Sequence, residues 1–180
     1  MSNLLELLNK LKENILKREK VEEKPEEPKE IEKSDFDKAL DFLRPIEGFI
    51  SNDPKDTGGL TIYGISSKSH KEAVLAMLKL IEVGKKEEAY EIAKKIYYEE
   101  YWLKPKCDKL PFPFNIVVFD TAVNCGGGTA SKLLAVYGGD WRDYLIRRME
   151  YHTTCSTASE HMWGWARRLA KLYNFVKDKQ

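Results

Sequence analysis

The sequence has no excess of charge of either sign. Its 180 residues contain 30 Lys and Arg against 29 Asp and Glu, so the formal net charge is +1. Proteins that bind nucleic acid or an anionic lipid surface usually present a strongly basic face, and this balance offers no overall field to attract such partners. We therefore expect no nucleic acid among the partners of this chain.

Cysteine is scarce, and its spacing fits no metal-binding pattern. The three cysteines, Cys107, Cys125 and Cys155, form neither a Cys-x-x-Cys pair nor a Cys/His group, so a zinc site and a disulfide framework are both unexpected. An odd number leaves at least one thiol unpaired within a monomer, which indicates synthesis in a reducing cytosol. The glycines from Gly126 to Gly128 lack the Gly-Lys-Ser/Thr ending of a phosphate-binding loop. The sequence therefore predicts no metal and no cofactor.

Long apolar runs are missing as well. No stretch approaches the ~20 apolar residues that a membrane-spanning helix needs, and the N-terminus lacks the apolar core and small-residue cleavage site of a signal peptide. We expect synthesis in the cytoplasm without a signal peptide, and no stable membrane span. If the protein acts outside the cytoplasm, another component has to release or carry it.

Residues 1–20 are expected to form an amphipathic helix that stands apart from the core. The apolar residues lie three or four positions apart, a spacing that produces a narrow apolar stripe on a helix: Leu4, Leu5, Leu8, Leu11, Ile15 and Leu16. Residues 21–33 contain Lys, Glu and two prolines but almost nothing apolar, which is typical of a solvated linker. The helix is either a frayed or coiled-coil-like extension, or a segment that docks on a protein partner or a membrane surface.

Residues 34–180 are predicted to form one mainly α-helical domain with one small β-hairpin. Ser34 or Asp35 can cap a helix that leads to Glu47, and Gly58-Gly59 indicates a turn into a short strand. Helical periodicity returns at six further places: residues 71–83, 86–102, 114–123, 128–135, 141–154 and 158–177. The hydrophobic content of 42% is enough for the core of a single domain.

The segment that begins at Glu47 carries the residues with the clearest chemistry. Cleaving a glycosidic bond needs a proton donor at the leaving oxygen and a second group that handles water or positive charge on the other face. Glu47 ends a helix next to apolar Leu43 and Ile46, which is the shielded setting of a proton donor. Asp56 lies in a polar, glycine-rich loop and is expected to stay ionised. Thr61 can hold a water molecule or hydrogen-bond the second carboxylate.

Other candidates have a structural alternative beside the functional one. Tyr63 offers a ring and a hydroxyl to a sugar. Trp102 either belongs to the core or stacks on a sugar ring. Asn124 either ends a helix before Gly126 or binds a sugar as a cleft-lining amide. Asp53 is expected to be only a turn former.

A longer signature joins these residues. It reads Glu47-Gly48-Phe49, then Ser51-Asn52-Asp53-Pro54-x-Asp56-x-Gly58-Gly59-x-Thr61-x-Tyr63-Gly64-Ile65. The signature resembles that of glycoside hydrolase family 108, the peptidoglycan-cleaving N-acetylmuramidases of phage and bacteria, which have a lysozyme-like fold. The resemblance implies that Glu47 is the catalytic acid. A looser similarity to phage-type lysozymes implies roles for Asp56 and Thr61.

The resemblance continues towards the C-terminus. It includes Asp120-Thr121-Ala122-Val123-Asn124 and Trp163-Gly164-Trp165-x-x-Arg168, which are similar to the family's peptidoglycan-binding C-terminal region. The sequence therefore favours a peptidoglycan hydrolase that cleaves the β-1,4 bond between N-acetylmuramic acid and N-acetylglucosamine. Two alternatives stay open: a lytic transglycosylase, and a non-catalytic peptidoglycan-binding or virion structural protein. Such an enzyme without a signal peptide is expected to reach the wall through a holin-type pore or as part of a virion.

Overall fold

The computed structural model describes residues 33–51 and 59–178. The predicted amphipathic helix over residues 1–20 lies outside these ranges, as does the predicted linker over residues 21–33 apart from its last residue. Both therefore stay predictions, and the account that follows concerns the domain that begins at Lys33.

The described part of the chain contains seven α-helices and one three-stranded antiparallel sheet. The helices are α1 (Asp35–Glu47), α2 (Lys71–Glu82), α3 (Lys86–Ile96), α4 (Phe114–Cys125), α5 (Gly127–Tyr137), α6 (Trp141–Thr154) and α7 (Ala158–Val176). The strands are β1 (Ile50–Ser51), β2 (Thr61–Ile62) and β3 (Ile65–Ser66), with β2 in the middle. The prediction of a mainly α-helical domain with one small β element is confirmed, and that element contains a second hairpin, β2–β3.

Helix α1 carries the chain to Glu47 and ends there. The Ser34 hydroxyl accepts a hydrogen bond from the Asp37 amide at 3.1 Å, which is the interaction expected of an N-cap. Pro45 lies inside the last turn, and the helix continues past it. The following residue, Gly48, has a φ of 71°, a left-handed conformation that ends the helix. Glu47 is therefore the last residue of a rigid element.

The sheet returns the chain to the end of α1. Ile62 pairs with Ile65 across a tight turn, in which Tyr63 and Gly64 have positive φ values of 49° and 78°. The Tyr63 amide also donates a hydrogen bond to the Phe49 carbonyl at 2.8 Å. This bond ties the turn to the residues that directly follow α1.

Helix α4 runs through the centre of the domain. All of its residues from Phe114 to Ala122 are buried, as expected for a helix that lies in the middle of a core. Three of these buried residues are polar, namely Asn115, Asp120 and Thr121. Buried polar groups need hydrogen-bond partners, and a buried carboxylate such as that of Asp120 also needs a cation.

The helix predicted over residues 86–102 changes its winding before it ends. Helix α3 stops at Ile96, and the segment Tyr97–Leu103 continues as a π-helix. Such turns are rare and occur frequently at functional sites. Both Tyr97 and Trp102 are buried within this segment.

The C-terminal part of the domain consists of helices that pack on one another. Helix α7 packs against α6, and α6 packs against both α4 and α5. The helices α4, α6 and α7 therefore enclose a common interior. None of the helices within the described ranges is long and apolar enough to cross a membrane.

Candidate active site

Glu47 lies at the open end of a group of buried charged side chains. Its Oε1 atom accepts a hydrogen bond from Nη1 of Arg168, on helix α7, at 2.9 Å. The Glu47 side chain is 22% exposed and that of Arg168 is 11% exposed. One carboxylate oxygen is therefore held from inside the protein, while the residue keeps contact with solvent.

Arg168 also binds Asp120, and Asp120 binds a second arginine. Nε of Arg168 donates to Oδ1 of Asp120 at 2.9 Å, and Nη1 of Arg148 donates to Oδ2 of Asp120 at 2.7 Å. The side chains of Arg148 and Asp120 are 0% and 1% exposed. Glu47, Arg168, Asp120 and Arg148 thus alternate in charge from the surface to the core, and we call this set the ionic chain.

The arginines keep Asp120 ionised. Burial by itself would raise the pKa of the Asp120 carboxyl group, but the charges of Arg148 and Arg168 outweigh it and leave the pKa below its ordinary value. Burial would likewise lower the pKa of Arg168, and the carboxylates of Asp120 and Glu47 reverse that effect. Asp120 is therefore ionised, and Arg168 protonated, at neutral pH.

The turn between β2 and β3 lies directly against Glu47. A Cβ atom at Gly64 would be 3.0 Å from both Cβ and Oε2 of Glu47, and it would collide with the hydroxyl of Tyr97. That hydroxyl donates a hydrogen bond to the Tyr63 carbonyl at 2.9 Å. Burial, and then the charge of Glu47, raises the pKa of Tyr97, so the hydroxyl stays a donor. Only glycine fits at this approach of the turn to the carboxylate.

A small pocket opens beside Glu47. Its walls come from α1, from the turn and from tyrosines of α3 and the π-helix: Leu43, Arg44, Glu47, Gly48, Tyr63, Tyr90 and Tyr97. The guanidinium carbon of Arg44 lies 4.5 Å from the centre of the Tyr90 ring. The space that these residues enclose is about 10 Å³, which is room for about one water molecule, so the pocket does not itself hold a sugar ring.

Thr61 lies on β2 and Tyr63 in the turn that follows this strand, and their hydroxyl groups have different partners. Tyr63 is 8% exposed, and its hydroxyl donates to the Lys86 carbonyl at 3.1 Å. The structure thus corrects the prediction that this hydroxyl meets a sugar, because the group is already engaged within the protein. Thr61 is partly exposed, and its hydroxyl donates to the Gly59 carbonyl at 3.3 Å.

Trp102 lies in the core and not in a cleft. Its ring is 4% exposed and packs edge-on against Phe36 and Phe119, with ring centres 5.4 and 5.7 Å away. A ring enclosed by other aromatic side chains has no face to offer to a sugar. The prediction that Trp102 stacks on a sugar is wrong, and the alternative of a core residue is correct.

Asn124 belongs to the end of α4. The helix ends at Cys125, and Gly126 follows with a φ of 86°. The Oδ1 atom of Asn124 accepts a hydrogen bond from Nη2 of Arg148 at 2.9 Å. The helix-end alternative fits these contacts, and the oxygen predicted for a sugar is used inside the protein.

The second predicted carboxylate, Asp56, lies outside the described residues, as does the predicted turn former Asp53. Ser51 is the last described residue before Asp53 and Asp56, and it pairs with Thr61 where β1 ends and β2 begins. Within the part of the chain that the structure describes, no group of three or more His, Cys, Asp and Glu side chains could hold a metal ion.

The partners of Glu47 could not be predicted from the sequence, although the position of Asp120 gives one indication of them. Asp120 is the one charged residue in the mainly apolar helical run over residues 114–123. A carboxylate in such a run predicts a buried cationic partner. The run does not say which of the chain's arginines that partner is, because Arg148 and Arg168 reach Asp120 only through the packing of α6 and α7.

Comparisons with known proteins agree with this architecture. Residues 40–126 match the sequence profile of the family described as Glycosyl hydrolase 108. Among solved structures, the chain is similar to that of Brucella abortus SagA, with 26% sequence identity and a TM-score of 0.58; the match covers 77% of this chain and 91% of that chain. No curated protein matches the chain.

The matched residues include both acidic members of the ionic chain, Glu47 and Asp120, whereas Arg148 and Arg168 lie beyond them. A glycoside hydrolase domain implies a glycan as its substrate. Over residues 40–126, the recognition of glycoside hydrolase family 108 is thus confirmed, in a mainly α-helical, lysozyme-like fold.

Proposed function

We propose that this protein is a peptidoglycan hydrolase of the N-acetylmuramidase type, which cleaves the β-1,4 bond between N-acetylmuramic acid and N-acetylglucosamine. The family match supports a glycan substrate, and the partial exposure of the Glu47 side chain supports cleavage at that residue. General acid catalysis on a glycosidic bond needs a carboxylic acid, a second group and water. The proposal therefore involves no cofactor.

The unequal surroundings of the two carboxylate oxygens of Glu47 carry the proposal. Oε1 is held by Arg168 at 2.9 Å. Oε2 lies on the side of Gly64, and among the described residues it accepts no hydrogen bond. A general acid has to carry its proton on an atom that the leaving oxygen can approach. We therefore assign the orientation of Glu47 to Oε1 and the proton to Oε2.

In the proposed reaction, Glu47 gives its proton to the glycosidic oxygen while the sugar on the other side of the bond gains oxocarbenium character. Asp56 positions a water molecule or stabilises the positive charge, and Thr61 assists it. Water then supplies a hydroxyl group to the new sugar end and returns a proton to Glu47. Support for the role of Thr61 is its position on β2, the strand that leads into the turn beside Glu47.

Analysis of the cleavage products tests this proposal. The protein is incubated with purified peptidoglycan, the new ends are reduced, and the fragments are identified by mass spectrometry. N-acetylmuramic acid at the reducing ends is the expected result. Reducing N-acetylglucosamine ends would contradict the bond proposed here, and anhydro ends would identify a lytic transglycosylase. Sedimentation with cell walls without any product would identify a binding or virion structural protein.

We further propose that the enzyme is made in the cytoplasm and reaches the wall through a holin-type pore or as part of a virion. The unpaired state of Cys107, Cys125 and Cys155 supports a reducing site of synthesis. Expression in a bacterial cytoplasm, with and without a co-expressed pore-forming protein, tests the first route. Lysis that depends on the pore is expected, and equal lysis without it would contradict this route.

A further inference from the structure

We propose that Asp120 and Arg148 are positioning residues for the proton donor: they hold Arg168, and through it they set the orientation of the Glu47 carboxylate. This inference rests on the proposed function of Glu47. It assigns to the C-terminal helices α6 and α7 a part in the catalytic site, where the sequence resemblance indicates only a binding region.

The side chain of Arg168 contacts Asp120 and Glu47 at the same time. A guanidinium group is planar, and its donors form a rigid fork. Nε donates to Oδ1 of Asp120 at 2.9 Å, and Nη2 lies 2.8 Å from the same oxygen. With one edge of the group fixed on Asp120, the direction of Nη1 is fixed as well, and Nη1 donates to Oε1 of Glu47 at 2.9 Å. The position of Asp120 therefore determines where Glu47 is held.

Asp120 is itself held in place by Arg148. Its other oxygen, Oδ2, accepts from Nη1 of Arg148 at 2.7 Å. Arg148 also donates to Oγ1 of Thr121 at 3.2 Å and to Oδ1 of Asn124 at 2.9 Å. Three acceptors on one face of α4 therefore fix this fully buried arginine, and the arginine fixes Asp120.

The charges of the ionic chain also connect Arg168 to Glu47. Asp120 and Arg148 form a neutral buried pair, which needs no further cation to compensate it. Adding Arg168 gives this group a charge of one positive unit, which the carboxylate of Glu47 compensates once its proton has passed to the leaving oxygen. Arg168 is thus not required to neutralise Asp120. Its hydrogen bonds instead connect Asp120 to Glu47.

A double-mutant cycle on peptidoglycan hydrolysis tests this inference. Asp120→Asn is introduced into the parent and into Glu47→Gln, and Asp143→Asn, at a 49% exposed aspartate of α6, is the matched control. In the parent, Asp120→Asn is expected to lower kcat by about 100-fold with KM within about threefold, because a shift of about 1 Å in a catalytic group has such a cost. In Glu47→Gln the same change is expected to have no further effect, since no proton donor is left to position.

Two results would overturn the inference. One is an unchanged kcat for Asp120→Asn in the parent while Glu47→Gln is inactive. The other is an equal loss of kcat in both backgrounds, which is the mark of a purely structural role. A fully active Glu47→Gln would instead contradict the proposed function, so the two failures are distinguishable.

Arg168→Lys covers the case in which Asp120→Asn does not fold. Lysine keeps a positive charge beside Asp120, but it lacks the planar fork that contacts both carboxylates at once. The same loss of kcat in the parent, and the same absence of effect in Glu47→Gln, are expected. A folded Arg168→Lys with the kcat of the parent would overturn the inference.

Discussion

The two ends of the ionic chain differ in their exposure to solvent. At the open end, the Glu47 side chain is 22% exposed and borders the pocket. At the closed end, Asp120 and Arg148 are 1% and 0% exposed and lie among α4, α6 and α7. The proposed proton donor is thus near the surface while its support is in the core, so its carboxylate is held in one orientation where solvent can reach it.

This difference separates stability from activity. At the closed end, the loss of one side chain leaves buried polar atoms without their hydrogen-bond partners, which destabilises a protein strongly. At the open end, solvent and Arg168 can accommodate a changed side chain, so a substitution there acts mainly on the reaction. The predictions that follow test this separation.

The largest effect on stability is expected at Arg148. Arg148→Gln removes three hydrogen bonds to acceptors on α4 and is expected to lower the free energy of unfolding by about 3–5 kcal/mol. Its neighbour Arg147 is the matched control, because its ion pairs within the described ranges are with exposed carboxylates, such as that of Glu150 at 3.0 Å. Arg147→Gln is expected to have no measurable effect. Urea denaturation measures both, and equal losses would show that the closed end contributes no more than the surface.

A pH-dependent effect is expected from His152, which borders the closed end. His152 is 2% exposed, and burial together with the charge of Arg148 lowers its pKa to about 4. In the unfolded chain a histidine binds a proton near pH 6.5. The unfolded state therefore gains the proton first as the pH falls, and about 3 kcal/mol of stability is lost between about pH 6.5 and 4.

Denaturation curves across that pH range check this prediction. His152→Phe preserves an aromatic ring beside Trp165, whose centre lies 4.4 Å from that of His152, and it is expected to remove this loss. His161→Phe, at a 57% exposed histidine, is expected to retain it. A stability that does not change between these pH values in the parent would contradict the buried, neutral state of His152.

A smaller effect on stability, combined with one on activity, is expected at Gly64. Gly64→Ala and Gly84→Ala both place alanine at a positive φ, 78° and 82°, which costs about 1–3 kcal/mol. Nothing lies within 4 Å of a Cβ at Gly84, whereas a Cβ at Gly64 meets Glu47 and Tyr97. Only Gly64→Ala is therefore expected to lower kcat, by about 10-fold or more. Equal activities would show that the turn does not restrain Glu47.

Much of the fold could be predicted because each helix buries a face whose period is visible in the sequence. Helix α6, Trp141–Thr154, has the bounds that its pattern predicts. Helix α1 could be followed to Glu47 because the cap at Ser34 and the glycine after the last helical residue are local signals. A change of winding such as the π-helix Tyr97–Leu103 leaves no comparable signal, because both windings bury the same aromatic residues.

The site could be predicted only in part. The proposed role of Glu47 rests on the residues that follow it in the sequence, but its partner Arg168 is 121 residues away, and no local pattern relates them. The same limit explains the error at Trp102. An aromatic residue near a helix end suits a cleft or a core equally well, and only the packing of Phe36 and Phe119 around it decides.

The rate at which Glu47→Gln hydrolyses purified peptidoglycan tests the central claim most directly. Glutamine keeps an oxygen that can accept the hydrogen bond from Arg168, but it cannot act as an acid. Glu160→Gln, at a 74% exposed glutamate of α7, is the matched control and is expected to retain the rate of the parent. A rate about 10²- to 10⁴-fold below that of the parent, with unchanged thermal unfolding, is the result predicted for Glu47→Gln. A rate equal to that of the parent would contradict the role of Glu47 as the proton donor.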